Sequence, residues 1–421
     1  DLEALEDLEA LEDLEALEDL EALEDLENPQ NAGQAMSIAF LYSSFPKWSE
    51  TFLRQDLALL LEQGLPIHAL SLFPGDCEPQ ADWPKAEVLQ KTNVPSVFAK
   101  TSPSKRISFL PKQIRAWISL LKHRKLLDAL CLRLKQFDIK HIHAEFADLP
   151  ALLAVKAAKR LNISYSVGIH AFDIHCAKYP ATTIFGDARF ITACNQAAAD
   201  ALIAANPSLK SKITVIHHGI DLQKWTFDDC QPHKPICKIA FVGRLVPKKG
   251  LDILIRSLPY LKVSGIEFSL EVVGSGPLED ELKDLANQQQ VVEFIHWHGV
   301  QPPENVRAIL RQSSCLCAPS VVAPNGDRDG IPNTVLEAMA VGLPVIATEV
   351  GGIAEALSND KGWMIDFLSP LQLANTLTMF ASTPLEERQR RVQNARNLIE
   401  TDFDARKLSR IRAKLFNDGK L

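Results

Sequence analysis

From residue 37 onward, short apolar runs of strand length alternate with longer stretches in which apolar residues recur every three or four positions. Residues 37–42 read as a first strand, 51–63 as a helix closed by Gly64, and 67–73 as a second strand. Further strand-like runs fall at 141–146, 165–171, 190–194 and 213–218. Residues 226–235 are polar and punctuated by Pro232 and Pro235, a linker by composition. A second series follows at once, with a strand over 238–242 ending at Gly243 and a helix over 251–261. A strand over 268–273 runs into Gly274-Ser275-Gly276-Pro277, then a helix over 278–287 and strands at 292–297, 315–318 and 345–347. Alternation of this kind predicts an α/β protein with two doubly wound parallel sheets. The boundaries expected are 36–228 for the first domain, 229–237 for the linker and 238–400 for the second domain. A C-terminal helix over 401–421 is placed to cross back to the first domain.

Residues 1–35 break this pattern. The hexapeptide Asp-Leu-Glu-Ala-Leu-Glu repeats four times from Asp1, with leucine at every third position from Leu2 to Leu26. On a helix that spacing turns back about 60° per step, so the leucines spiral instead of forming a coiled-coil seam. The segment reads as an acidic extension, disordered or loosely helical, and Met36 as the natural start of the folded body. It also distorts the charge balance. The net charge is −8, yet residues 1–27 carry 14 acidic and no basic residues, leaving a mildly basic remainder of 45 Lys and Arg against 39 Asp and Glu.

Hydrophobic content of 46% and charged content of 23% describe a soluble globular chain long enough for two cores. No apolar run reaches the roughly 18 residues of a membrane span, and no signal peptide is expected. The eight cysteines are scattered without a Cys-x-x-Cys pair, which suits reduced thiols in a cytoplasm. Cys315 and Cys317 read as small core residues.

Candidate chemistry concentrates in two stretches. In the first, Asp329 and Glu337 flank Gly330-Ile331-Pro332-Asn333, a turn that opens a helix. Two carboxylates about a helix start suit a sugar joined to a nucleotide: one accepts bonds from sugar hydroxyls, the other from the ribose, and helix-start amides face the phosphates between them. In the second, Gly243 to Gly250, Arg244 stands at the carboxyl end of the second domain's first strand and Lys249 just before the next helix. A guanidinium and an ammonium converging there suit a diphosphate.

Together, Gly243-Arg244-Leu245-Val246-Pro247-Lys248-Lys249-Gly250, the later Gly330-Ile331-Pro332-Asn333 helix start and the Gly351-Gly352 turn resemble the retaining family-four glycosyltransferases of the GT-B fold. The resemblance runs continuously from Lys238 to Glu355 and points to the branch that builds exopolysaccharides such as colanic acid. It implies two Rossmann-like domains facing each other across a cleft, and transfer of a sugar from a nucleotide-diphosphate donor to a hydroxyl of a glycan or lipid-linked acceptor. Catalytic roles are implied for His170, Arg244, Lys249 and Asp329. Donor binding is implied for Gly243, Arg244, Lys249, Gly330, Glu337 and the amides of Asn333, Thr334 and Val335. Asp329 stands where the family usually has Glu, one methylene longer. On the acceptor side Ser49, Glu50, Thr51 and Asp173 are candidates, with helix capping as the alternative.

No cofactor or metal is expected, since basic side chains can neutralise the diphosphate. Asp327-Arg328-Asp329 and Asp402-Phe403-Asp404 resemble a metal motif of another glycosyltransferase fold only in outline. His141, His143 and Glu145, and likewise His296 and His298, match no familiar metal-site spacing. The Gly274-Ser275-Gly276 run lacks the third glycine of the dinucleotide fingerprint, with Glu279 in its place. Between Lys105 and Lys135 nine basic residues and one acid interleave with apolar ones, a stretch able to rest on an anionic membrane surface. The expected location is the cytoplasm, with a peripheral position on the inner face of the plasma membrane as an extension. Nucleic acid is not an expected partner. Rival readings are a sugar-nucleotide epimerase or a phosphorylase of similar fold, and an inactive donor-binding partner protein.

Overall fold

The structure, a computed structural model, describes residues 36–47, 50–77, 83–90, 110–228, 237–365 and 369–419. The hexapeptide extension, Ser49, the linker residues 229–236 and the basic residues 105–109 lie outside the described residues.

The first sheet holds seven strands, β1 (Ile38–Phe45), β2 (Ile67–Pro74), β3 (Glu87–Val88), β4 (His141–Glu145), β5 (Ser164–Ile169), β6 (Ile191–Ala193) and β7 (Ile213–Val215). Its order is β3-β2-β1-β4-β5-β6-β7, with every pairing parallel. The second sheet holds β8 (Cys237–Val242), β9 (Phe268–Val273), β10 (Ile295–Gly299), β11 (Cys315–Ala318), β12 (Val345–Thr348) and β13 (Trp363–Ile365). Its order is β10-β9-β8-β11-β12-β13, again parallel throughout. In both, the chain winds outward from the first strand in one direction and then in the other. The carboxyl ends of β1/β4 and β8/β11 are therefore the switch points where open α/β sheets bind ligands.

Burial on both faces explains the strand compositions. β11 is Cys315-Leu316-Cys317-Ala318 with the first three buried, so its cysteines act as small apolar fillers. Burial pushes the Cys317 thiol up, consistent with an inert core residue. The apolar run at 292–297 does not form a single strand. Residues Val292–Phe294 make a 3-10 turn and pairing with β9 begins only at Ile295. Likewise the run at 165–171 ends as a strand at Ile169, because His170 opens a short helix, Ala171–His175.

The last helix, Ala405–Asp418, shares the first domain's core. Leu408, Leu415 and Phe416 pack with Ile38, Phe40, Leu53 and Leu57. Its start is pinned where Ile220 bridges Asp404, and any side chain at Gly219 would meet Ala405. Arg412 then ion-pairs with Asp56 of the Thr51–Glu62 helix.

Candidate functional site

Gly243 closes β8 and donates its amide to Val273, and Gly274, at φ +126°, lies so near that a Cβ there would meet the Gly243 carbonyl at 2.0 Å. This close packing projects the loop of residues 244–249 beyond the sheet. Arg244 is exposed on it, its side chain without a protein hydrogen bond or ion pair among the described residues. Gly250, at φ +64°, turns the chain into the Leu251–Val263 helix, where a Cβ would meet the Pro319 carbonyl at 1.9 Å. The turn brings the lysines against the loop after β11.

There Lys249 Nζ lies 2.8 Å from Asp329 Oδ2, while Lys248 Nζ lies 3.1 Å from Asp327 Oδ1 and 3.6 Å from Asp329 Oδ1. Ser320 Oγ donates to Asp329 Oδ2 at 2.8 Å, and Thr348 Oγ1 holds the Ser320 carbonyl at 2.5 Å. Burial alone would raise the Asp329 carboxyl, but the two ammoniums and the Ser320 hydroxyl outweigh it and hold the pKa below the ordinary value. The expected diphosphate lysine and sugar carboxylate thus form one ion pair, an arrangement not evident from their separation in sequence.

The Asn333–Val341 helix begins directly after Pro332, whose carbonyl accepts the Val335 amide at 2.9 Å. The first amides of a helix have no intrahelical partner, so those of Asn333 and Thr334 point out of its start. Glu337 lies one turn on. Its carboxylate forms no hydrogen bond or ion pair among the described residues, and burial pushes its pKa up to about 7. Since β8 and β11 are neighbours, Arg244, the Lys249–Asp329 pair and this helix start gather at one switch point.

Across from it stand residues following β5, β6 and β7. His170 is 3.4 Å from Glu145 through Nε2, and its Nδ1 is 3.5 Å from His218 Nε2. Its ring stacks on Phe146 and on His218, and Phe52, one residue past Thr51, packs at 4.1 Å from the His218 ring. Desolvation works against the charged His170, yet the Cys194 and Glu145 contacts raise its pKa well above the usual range. Burial would raise the Cys194 thiol, but both imidazoles bring it down to about 6. Asp173 receives the His170 amide at 2.8 Å, and burial pushes it up to about 7, which fits the capping alternative. Glu50 precedes the Thr51–Glu62 helix and pairs with Lys47 at 2.9 Å without capping it by a side-chain bond.

Glu355 was visible in the sequence only as the end of a motif. Its oxygens accept the amides of Gln196 at 3.0 Å and Ala197 at 2.9 Å, and His217 Nε2 at 3.2 Å. A second-domain carboxylate thereby takes the start of the first-domain helix Gln196–Ala205, the favourable end of its dipole. Nearby, a Cβ on Gly330 would meet Asn195 Nδ2 at 2.6 Å, so glycine lets the donor loop rest on the first domain. The histidines that alternate on strands serve the sheets. His141 bonds Ser164 and Ser166, and His298 bonds buried Glu271 at 2.6 Å.

Two doubly wound sheets with a cationic loop, a helix start and paired carboxylates at the second switch point define a two-domain transferase of the GT-B type. Comparison with known proteins makes this specific. The Glycosyltransferase Family 4 description matches residues 58–224, and the Glycosyl transferases group 1 description matches residues 232–398. The chain is a GT-B glycosyltransferase of family four, related to exopolysaccharide biosynthesis enzymes. It is 26% identical over 410 residues to a putative colanic acid biosynthesis glycosyltransferase, WcaL, of Escherichia coli, covering 90% of this chain and 99% of that protein. It is 27% identical over 356 residues to the amylovoran biosynthesis glycosyltransferase AmsK of Erwinia amylovora, covering 78% and 86%. Among solved structures, Anabaena Alr3699/HepE in complex with UDP-glucose superposes with a TM-score of 0.68 at 16% identity, covering 91% of this chain and 100% of that one.

Proposed function

We propose that this glycosyltransferase moves a sugar from a nucleotide-diphosphate donor to a hydroxyl of a glycan or lipid-linked acceptor, with retention of anomeric configuration. The observation that carries the reading is the Lys249–Asp329 pair at the same switch point as Arg244 and Glu337, whose side chains have no partner among the described residues. Arg244 and the amides of Asn333 and Thr334 take the diphosphate, Lys249 bridges it to the sugar end, and Glu337 accepts from the ribose hydroxyls. Negative charge grows on the diphosphate as it leaves an oxocarbenium-like sugar, and preorganised cations and amides lower that barrier. Asp329, held by Lys249 and Ser320, is assigned to accept from sugar hydroxyls. Attack by the acceptor on the face the diphosphate leaves, with a phosphate oxygen taking its proton, balances the step without a protein nucleophile. That argument, together with the family-four resemblance, supports retention. The donor complex of Alr3699/HepE with UDP-glucose suggests a uridine nucleotide to try first. His170 on the first-domain side is assigned a catalytic place close to the donor sugar, and Asp173, with Glu50 and Thr51 near Phe52, to the wall that receives the acceptor.

The test incubates the purified chain with a panel of UDP-, GDP- and ADP-sugars and simple glycan acceptors. Nucleoside diphosphate release that depends on acceptor supports transfer, and proton NMR of the product's anomeric coupling reads retention or inversion. Acceptor-independent conversion of the sugar nucleotide would instead establish the epimerase reading. Peripheral membrane contact through 105–135 is a separate extension. Ile114 and Leu121 remain exposed on the Lys112–Lys122 helix, while Leu126, Leu127, Leu130 and Leu134 of the next helix are buried. Flotation with anionic liposomes tests it, and equal binding by a charge-reversed Lys122/Arg124/Lys125 variant counts against it.

A further inference from the structure

We propose that His170, Cys194 and His218 form a zinc site built on the first domain. The three residues follow β5, β6 and β7, adjacent strands of one parallel sheet, and so meet at its carboxyl edge. One ligand atom from each lies within 4.8 Å of the other two, and His170 Nδ1 and His218 Nε2 are 3.5 Å apart. Tetrahedral zinc, with bonds of about 2.0 Å to nitrogen and 2.3 Å to sulfur, asks for ligand separations of about 3.3–3.6 Å. Small side-chain movements close the difference.

The outer contacts are those of a metal centre. Metal-bound imidazoles usually give their second nitrogen to a carboxylate. Here His170 Nε2 faces Glu145 Oε2 at 3.4 Å and His218 Nδ1 faces Asp56 Oδ2 at 2.9 Å, leaving the inner nitrogens, His170 Nδ1 and His218 Nε2, facing each other at 3.5 Å. Asp56 is itself held by Arg412, and Asn195 Nδ2 donates to Cys194 Sγ at 3.4 Å. The side chains of His170 and His218 keep only 11% and 14% of their exposure, so water screens the cluster weakly. A nitrogen-nitrogen-sulfur set favours zinc over magnesium or calcium, which take oxygen ligands. Three protein ligands leave a fourth position for water or a substrate oxygen.

Such an ion would tie together the three loops that form the first-domain wall. One of them carries Asn195 against the donor loop at Gly330, so occupation would stiffen the surface on which that loop rests.

The test is titration of chelator-stripped full chain with cobalt(II) alone, read by absorption, then displacement by zinc. One cobalt per chain is expected, with a thiolate-to-cobalt charge-transfer band in the near ultraviolet and visible bands of tetrahedral intensity. Cys194→Ser should lose the charge-transfer band and Cys77→Ser should keep it, while Asp56→Asn should weaken binding about 10–100-fold. Wild-type protein that shows no thiolate band at saturating cobalt overturns the site, whatever the fold of the variants. A band unchanged in Cys194→Ser overturns it as well.

Discussion

Glu337→Gln separates stability from ligand binding more cleanly than any other change in the site. The carboxyl stands among buried helix residues, finds no partner among the described residues, and is pushed up to about 7 from an ordinary 4.5. Each tenfold change in proton affinity is worth about 1.4 kcal/mol, which sets a ceiling of about 3 kcal/mol on the cost of its charge. Partial water access lowers the expected effect to about 1–3 kcal/mol. The sign follows from linkage: the folded state binds this proton more tightly than the unfolded chain. Wild-type stability therefore falls as pH rises from about 4.5 to about 7 and is level above. Glutamine does not titrate. The variant should match wild type near pH 4.5–5 and exceed it above pH 7, by several degrees in Tm for a domain of this size. The same substitution removes the charged acceptor for ribose hydroxyls, so the Tm rise that UDP or GDP gives wild type should shrink or vanish. Nucleotide affinity of wild type should itself weaken below pH 7, as the carboxyl takes up its proton. Differential scanning fluorimetry from pH 5 to 8.5, with and without nucleotide, measures all three. A wild-type to variant difference that is flat with pH, or a variant less stable at pH 8.5, would refute the reasoning.

Arg244→Ala should cost about 10²-fold in turnover, the scale of losing one preorganised donor, with Tm unchanged because the side chain is exposed and has no partner among the described residues. Steady-state kinetics beside a melting curve checks both halves. Asp329→Asn should destabilise by about 2–4 kcal/mol, since Lys249 loses its counter-charge in a buried setting while Lys248 keeps only Asp327. Because the Asp329 pKa is depressed, its contribution is fully present above the ordinary value of 3.8 and is lost progressively as pH falls from there through the folded-state pKa, so urea titrations should show a smaller variant deficit at pH 3 than at pH 7. Phe416→Ala should destabilise the first domain by about 3–5 kcal/mol, although the residue lies in the last helix. Its ring packs 5.1 Å from Phe40 and 5.4 Å from Phe190, and hydrogen exchange at β1 and β4 would report the loss.

What the sequence could reveal depended on how far each interaction reaches along the chain. Strand alternation, the two winding series and the Asp329–Glu337 helix start are local patterns, so spacing alone exposed them. The 3-10 turn before β10 escaped because a short apolar run has no period that separates strand from turn. Contacts that join distant segments were hidden for a different reason. Lys249 and Asp329 lie 80 positions apart, and only the adjacency of β8 and β11 makes them an ion pair. Glu355 capping the helix at Gln196 is legible only once two domains face each other. The sharpest case is the His170–Cys194–His218 cluster. A search for short ligand spacings finds nothing there, because successive members are 24 residues apart, one strand-helix unit each. In a parallel sheet, equal steps along the chain return to the same edge, so side chains that follow successive strands converge whatever lies between them. The length of one βα unit is therefore a ligand spacing in its own right, and here it carries two imidazoles and a thiol to one point beside the donor loop.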